Sequence, residues 1–321
     1  MLLEEIKKAS LIGRSGSRFP VWKKWNSLAN EVGSKYLICN AAESEPGVFK
    51  DKYILQNDLG KVIGGITFAM KALGINEGFF YLKKDYEKLF GKRLKKAIKG
   101  KPIKIKTKKD RYVAGEEMAA INSIEGNRPE PKVKPPYPTE KGLWGRPTLV
   151  HNLETFYAIA EVADGTYEKE RFYCISGKVS NEGIFKLGVD LTIEEVLKGT
   201  NNYPDFDFLV QVGGGLGGIF LDQKDVAQKC DRLASIKVFE KRKFKPTEKM
   251  KSISYLLMHG NCDKCTPCRE GIFRINEMLK AGYYDENLVK KLTLALENSS
   301  YCPLGRVAAE VFNSLIDIDE N

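Results

Sequence analysis

The chain has 321 residues, 42% of them hydrophobic and 29% charged, and its 52 Lys and Arg against 42 Asp and Glu give a formal net charge of +10. That describes a soluble globular protein of two or three domains. No run approaches the roughly 20 apolar residues of a membrane span, and the opening MLLEEIKKAS lacks the basic-then-apolar order of a secretory signal, so a cytoplasmic location is expected.

The positive charge is confined. Residues 83–111 hold 14 Lys or Arg and 3 Asp or Glu, a balance of +11, so the other 292 residues together carry −1. Tyr86, Leu89, Phe90, Leu94, Ala97 and Ile98 recur there at helical spacing, and the alternation Ile103, Ile105 then reads as a strand. A lysine-rich solvated helix and a docking surface for an acidic partner both fit. Nucleic acid fits poorly, because no stacking pattern of aromatic residues accompanies the charge.

In chain order, residues 1 to about 165 alternate apolar runs (YLICNA from Tyr36, GFFYLK from Gly78) with helical patterns (DLGKVIGGITFAMKAL from Asp58), which predicts an α/β domain. The Pro-rich stretch from Pro129 to Pro138 crosses that domain without regular structure and reads as a functional loop. From about Arg171 the pattern becomes short strands (RFYCIS, GIFKL, FDFLVQV, SIKVFE) with one short helix around TIEEVLKG, a second small α/β unit. From about Glu248 onward the spacing of Ile253, Leu256, Leu257, Ile272, Ile275, Leu279, Leu292, Leu294 and Leu296 predicts a helical bundle.

Cysteine supplies the strongest chemical signal. Cys262, Cys265 and Cys268 stand at intervals of three in CDKCTPCREG, and Cys302 follows 34 residues later in YCPLG. Disulfides are rare in cytosolic proteins, and three thiols in one tight loop closed by a remote fourth suit a [4Fe–4S] cluster. Zinc is the competitor, although structural zinc sites usually draw ligands from two separated pairs. Pro267 argues against a regular helix through the triplet. Cys39, Cys174 and Cys230 are isolated and read as core or free thiols, and His259 as a nearby non-ligand.

Glycine marks two loops. Gly13 to Pro20 (GRSGSRFP) combines backbone donors with Arg14 and Arg18, a combination suited to a phosphate. Gly213 to Gly218 (GGGLGG) formally satisfies G-x-G-x-x-G, but only GIFLDQKD follows where the dinucleotide fingerprint needs a long helix, so it reads as a turn. Two acidic patches, Asn40 to Gly47 and Gly115 to Glu117, fall near strand ends, where α/β sheets bind ligands; each is also compatible with a solvated turn.

Taken together, GRSGSRFPVWKKW, YLICNAAESEPGVFKDK, the stretch from YVAGEEMAAINSIEGNRPEPKVKPPYP to GLWGRPTLVHNLET, and CDKCTPCREG with the later CPLG resemble the NADH-binding flavoprotein subunit of respiratory complex I, a family shared with NAD-linked hydrogenases and formate dehydrogenases. The resemblance implies a Rossmann-like FMN- and NADH-binding α/β domain (1–165), a β-grasp, ubiquitin-like domain (166–246) and a C-terminal helical [4Fe–4S] domain (247–321). It further implies that Gly13, Arg14, Gly16 and Lys24 hold FMN, with Asn40, Glu43, Ser44, Glu116, Glu117, Asn152 and Thr155 bonding its phosphate, ribityl chain or ring. Phe19, Glu45, Lys134 and Tyr137 meet NADH, and Cys262, Cys265, Cys268 and Cys302 ligate the cluster.

On that reading the chain oxidises NADH, the flavin accepts the hydride and releases electrons singly, and no side chain acts as acid or base. Glu45 is the candidate for tuning the flavin. Implied partners are a small [2Fe–2S] thioredoxin-like subunit and a larger iron–sulfur, hydrogenase or dehydrogenase subunit, with no nucleic acid and no direct membrane insertion.

Several positions depart from the family pattern. Ser15, Ser17 and Arg18 replace small residues or glycines, Ala42 replaces an aspartate, His151 an asparagine, and Ser27 stands where an aromatic is often found. Near the cluster, Asn261 and Asp263 replace Ser and Gly. The departures leave open an altered but working NADH site, a preference for NADPH, or a relay subunit whose flavin pocket is degenerate.

Overall fold

The structure, a computed structural model, describes residues 2–319. The chain folds as two compact units. The first takes residues up to 44 with 49–110 and 114–171, and the second takes 45–48, 111–113 and the chain from 172 onward.

The first unit contains, in chain order, α1 (Leu2–Lys8), α2 (Val21–Ala29), β1 (Tyr36–Ala41), α3 (Lys50–Asn57), α4 (Leu59–Leu73), β2 (Glu77–Leu82), α5 (Lys84–Ala97), β3 (Ile103–Thr107), α6 (Glu117–Ile124), β4 (Thr148–Asn152) and α7 (Leu153–Ala163). Its sheet is parallel throughout, in the order β3-β2-β1-β4. The connection from β1 to β2 leaves on one side of β1, and β4 lies on the other. The carboxyl ends of β1 and β4 therefore flank a topological switch point, the place where open α/β sheets bind ligands.

Apolar residues at helical spacing in α4, from Leu59 through Val62, Ile66 and Ala69 to Leu73, bury one face, and Gly74 ends the helix at φ 64°. Gly65 lets α4 and α7 approach closely, since a Cβ there would lie 1.8 Å from Phe156 O. The lysine-rich segment is helix α5 followed by edge strand β3. Tyr86 and Leu94 are buried as their spacing requires, but Leu89 is 62% exposed and does not join the inner face. Lys104 and Lys106 on β3 discourage edge-to-edge pairing of the sheet.

The second unit holds β5 (Glu170–Gly177), β6 (Gly183–Gly188), α8 (Ile193–Gly199), β7 (Phe208–Val212), β8 (Ile219–Asp222), β9 (Ser235–Glu240), α9 (Pro246–Gly260), α10 (Ile272–Lys280), α11 (Glu286–Ser299) and α12 (Pro303–Asp319). Its sheet has the order β6-β5-β9-β7-β8, with β5 and β9 parallel at its centre and β7 antiparallel to both β8 and β9. A capping box starts α8, where Thr192 Oγ1 accepts from Glu195 N at 3.1 Å and Glu195 Oε2 accepts from Thr192 N at 2.8 Å. Helices α9 to α12 share a core of Met250, Ile253, Leu257, Ile275, Leu296 and Phe312. Among the described residues no helix is long and apolar enough to cross a membrane.

Candidate functional site

Side chains at the carboxyl end of the four-stranded sheet are tied into one constellation. Arg14 N donates to Thr155 Oγ1 at 2.9 Å, which pins the glycine loop to the first turn of α7. Asn152 caps that helix by accepting from Glu154 N at 3.0 Å, and its amide donates to Asn40 O at 3.3 Å across the switch point. Asn40 Nδ2 in turn donates to Gly115 O at 2.9 Å, just before the two glutamates. Lys24 Nζ donates to Glu117 Oε2 at 2.7 Å and to Val150 O at 3.3 Å. Gly13, Arg14, Gly16, Lys24, Asn40, Glu116, Glu117, Asn152 and Thr155 are thus gathered at one end of the sheet.

The glycine loop is shaped for close approach. A Cβ on Gly13 would press on Phe19 O at 3.1 Å, while Gly16 has nothing within 4 Å. Helix α2 begins after Pro20 with no side-chain cap and no acidic residue in its first turn; Val21 N donates to Leu11 O and Lys23 N to Pro20 O, so the helix dipole with Lys23 and Lys24 favours an anion. Arg14 turns its Nη2 to Tyr167 Oη and Glu170 O, each at 2.8 Å, while its buried Nε has no partner among the described residues. Arg18 sits at φ 46°, in the left-handed region that glycine enters without strain. This donor set fits the phosphate of FMN.

Glu117 is the electrostatic anchor. Lys24 and Lys134 (2.6 Å) flank it and outweigh burial, holding its carboxyl down at about 2. Glu116 caps α6 by accepting from Met118 N and Ala119 N at 2.8 and 2.9 Å, and burial raises its carboxyl above the ordinary value. Lys134 also reaches Glu116 at 3.3 Å, so the Pro-rich loop is fixed to this end of the sheet. Phe19 and Tyr137 present half-exposed rings, 43% and 51% accessible. Ser44 Oγ donates to Ala42 O at 2.7 Å and stabilises its own turn.

Glu43 accepts from Asp51 N at 3.0 Å and from the Tyr86 hydroxyl at 2.6 Å. Glu45 belongs to the second unit. Its Oε2 accepts from the Tyr112 hydroxyl at 2.5 Å, and its Oε1 from Leu216 N and Gly217 N at 2.5 and 2.7 Å. The GGGLGG stretch is the β7–β8 hairpin connection and forms a nest of backbone donors for a carboxylate of this same chain.

Sequence reasoning missed the buried Lys50. Its ammonium lies 2.5 Å from Asp51 Oδ1, 3.0 Å from Asn152 Oδ1 and 3.3 Å from Glu154 Oε2, beneath the constellation. It also missed Tyr112 as a partner for Glu45. Only the proximity of Lys50 and Asp51 to the acidic patch hinted at the first.

In the helical part of the second unit, Cys262, Cys265, Cys268 and Cys302 are all buried free thiols. Burial, and then the charges of Cys265, Cys302 and Cys262, push the Cys268 thiol above its ordinary value. Cys268 lies in a π-helical turn over Pro267–Gly271, which replaces the regular helix that Pro267 argued against. Gly305 packs so closely after Cys302 that a Cβ there would lie 2.1 Å from Ser300 Oγ and 3.7 Å from Cys268 Cβ. Four buried thiols, three from one loop and one just before α12, fit the ligand set of a [4Fe–4S] cluster. Among the described residues no three His, Cys, Asp or Glu side chains are grouped as a site for a single metal ion. Cys39, Cys174 and Cys230 are buried core residues, as expected.

The Nuo51 FMN-binding domain family matches residues 6–161, and the NADH-ubiquinone oxidoreductase-F iron-sulfur binding region matches residues 248–318. The F subunit of NADH-quinone oxidoreductase from Aquifex aeolicus is 28% identical, over 98% of this chain and 83% of its own. The NADP-reducing hydrogenase subunit HndC of Solidesulfovibrio fructosivorans is 30% identical, over 100% of this chain and 74% of its own. A crystal structure of NAD+-reducing [NiFe]-hydrogenase in the H2-reduced state superposes with a TM-score of 0.89 at 28% identity, over 98% of this chain; the chain spans 61% of that hydrogenase chain. With FMN and [4Fe–4S] as its cofactors, the chain belongs to the family of NADH-dehydrogenase flavoproteins found in complex I and NAD-linked hydrogenases.

Proposed function

We propose that the chain oxidises NADH at the switch point of the four-stranded sheet and delivers the electrons singly to the four-cysteine cluster. The observation that carries the proposal is the convergence of the glycine loop, Lys24, Asn40, Glu117 and Asn152 at that one end of the sheet. Bound there, FMN supplies hydride acceptance and one-electron release. The chain's own residues do the rest. The uncapped start of α2 and Gly13 to Gly16 receive the phosphate, Asn40 and Asn152 present amide groups at the strand ends, and Phe19 and Tyr137 offer rings to the nicotinamide nucleotide. Glu117 stays ionised and keeps Lys24 and Lys134 in place.

The proposed domains are 1–165 for FMN and NADH, 166–246 as a β-grasp module, and 247–321 for the cluster. The five-stranded sheet, with a parallel central pair, a flanking hairpin on each side and α8 between them, supports the β-grasp assignment. The chain works in the cytoplasm and passes electrons to separate subunits, a small [2Fe–2S] thioredoxin-like protein and a larger iron–sulfur or hydrogenase partner; that its relatives are subunits of an NADH-quinone oxidoreductase and of an NADP-reducing hydrogenase supports separate partner subunits.

Anaerobic purification with flavin and iron quantified, followed by addition of NADH or NADPH, tests the proposal. Bound flavin, about four irons per chain and bleaching of the flavin band by NADH are expected. An intact cluster without flavin would return the relay reading, and bleaching by NADPH alone would reassign the nucleotide.

A further inference from the structure

The cluster loop carries a charge between its first two cysteines. Asp263, between the first two ligands, sits at φ 60°, a left-handed conformation that Asp tolerates better than most side chains. Three contacts hold the loop. Asn261 Oδ1 accepts from Asp263 N at 2.7 Å, Arg269 Nη1 donates to Asp263 O at 3.2 Å, and Arg111 Nη1 donates to Asn261 O at 3.1 Å. The same Arg111 nitrogen lies 3.3 Å from Asp263 Oδ2. Arg269 also faces Glu270, its Nε donating to Oε1 at 3.0 Å, so its positive charge is shared with a second carboxylate.

A negative charge next to one ligand and two residues from another opposes the arrival of an electron, and a positive charge in contact with it offsets part of that field. Resting on the assignment of Cys262, Cys265, Cys268 and Cys302 as ligands of a [4Fe–4S] cluster, we propose that Arg111 is a positioning residue for the cluster loop. It clips Asn261 O and neutralises Asp263, and the pair sets the reduction potential of the cluster. Both partners are partly exposed, 37% for Arg111 and 44% for Asp263, so the effect is moderate and weakened by salt.

The test is a potentiometric titration of the full holo-chain, reduced stepwise with dithionite and mediators and read by the electron paramagnetic resonance of the reduced cluster. Asp263→Asn keeps the left-handed residue and removes the charge, so its midpoint potential should rise. Asp263→Gly, which also relieves the strained φ, should give a rise of the same sign and guards against a folding failure of the first variant. Arg111→Gln should lower the potential, and the double variant should return towards wild type. Each single shift should shrink as ionic strength increases. Single variants that keep a full cluster yet shift in the same direction, or not at all, overturn the inference alone. A wild-type chain that binds zinc or no cluster overturns the ligand assignment beneath it.

Discussion

The Tyr112 hydroxyl donates to Glu45 Oε2 at 2.5 Å, and the other carboxylate oxygen lies in the nest made by Leu216 N and Gly217 N. Burial raises the Glu45 carboxyl, and Tyr112 and the two amides pull it back, so each donor matters to the ionised form. Tyr112→Phe should cost about 1 to 2 kcal/mol in chemical denaturation, the effect of removing one donor from a poorly hydrated carboxylate. Gly214→Ala should cost more. Gly214 has φ 103°, and a Cβ there would fall 1.9 Å from Glu45 Cγ. If Gly214→Ala unfolds at the wild-type midpoint, the nest does not hold Glu45.

His151 has a buried hydrogen-bond partner. Its Nε2 accepts from the indole Nε1 of Trp25 at 3.1 Å, and both side chains are buried. Burial, reinforced by Lys24, holds the imidazole well below its ordinary value of 6.5, so the folded protein keeps it neutral. The folded state then binds fewer protons than the unfolded one, and this contribution to stability is present above about pH 6.5 and lost as pH falls below it. His151→Asn should flatten that slope. At pH 8 or so it should also cost about 1 to 3 kcal/mol, because the shorter amide leaves the indole N–H unpaired. Urea midpoints measured across the acid range check both effects.

Glu43 behaves in the opposite sense. Burial and then Asp51 lift its carboxyl from 4.5 to about 7, against the pull of Lys50, Tyr86 and the Asp51 amide. The folded state binds the proton more tightly, so the contribution to stability is full below about pH 4.5 and is lost as pH rises towards about 7. Glu43→Gln, which keeps an acceptor for Asp51 N, should reduce this loss. Denaturation midpoints at the two ends of that window decide the matter; an unchanged slope in the variant would assign the titration to Asp51 instead.

How much of this was legible in the sequence follows from how local each signal is. The strands YLICNA and GFFYLK and the helix from Leu59 stand where their apolar patterns put them, because burial on a parallel sheet or along one helix face imprints a continuous or periodic run. Strand β4, with five residues after Pro147, and β8, with four, carry too little pattern to stand out and gain their strand character from pairing. The four cysteines were legible because their spacing is itself the ligand geometry. Lys50 was not, since what makes a buried lysine tolerable lies in Asn152 and Glu154, the first of them 102 residues away. The Glu45 nest was hidden for the same reason: glycines advertise a close approach but not what approaches.

Two neighbouring glycines in α4 should respond to the same substitution with opposite signs. At Gly65 a Cβ would lie 1.8 Å from Phe156 O and 2.7 Å from Phe156 C, both backbone atoms of α7 that no rotamer change can move aside. Gly65→Ala must push the helices apart and should cost about 3 kcal/mol, with loss of flavin occupancy because α7 carries Asn152 and Thr155 at its start. At Gly64 a Cβ would meet nothing within 4 Å, so Gly64→Ala should stabilise the helix by up to about 1 kcal/mol through its better helical propensity. Thermal or urea denaturation of the pair, with bound flavin measured alongside, separates close packing from propensity. Destabilisation by both would mean that the α4–α7 contact is not set by Gly65 alone, and tolerance of both would mean that the two helices are free to part.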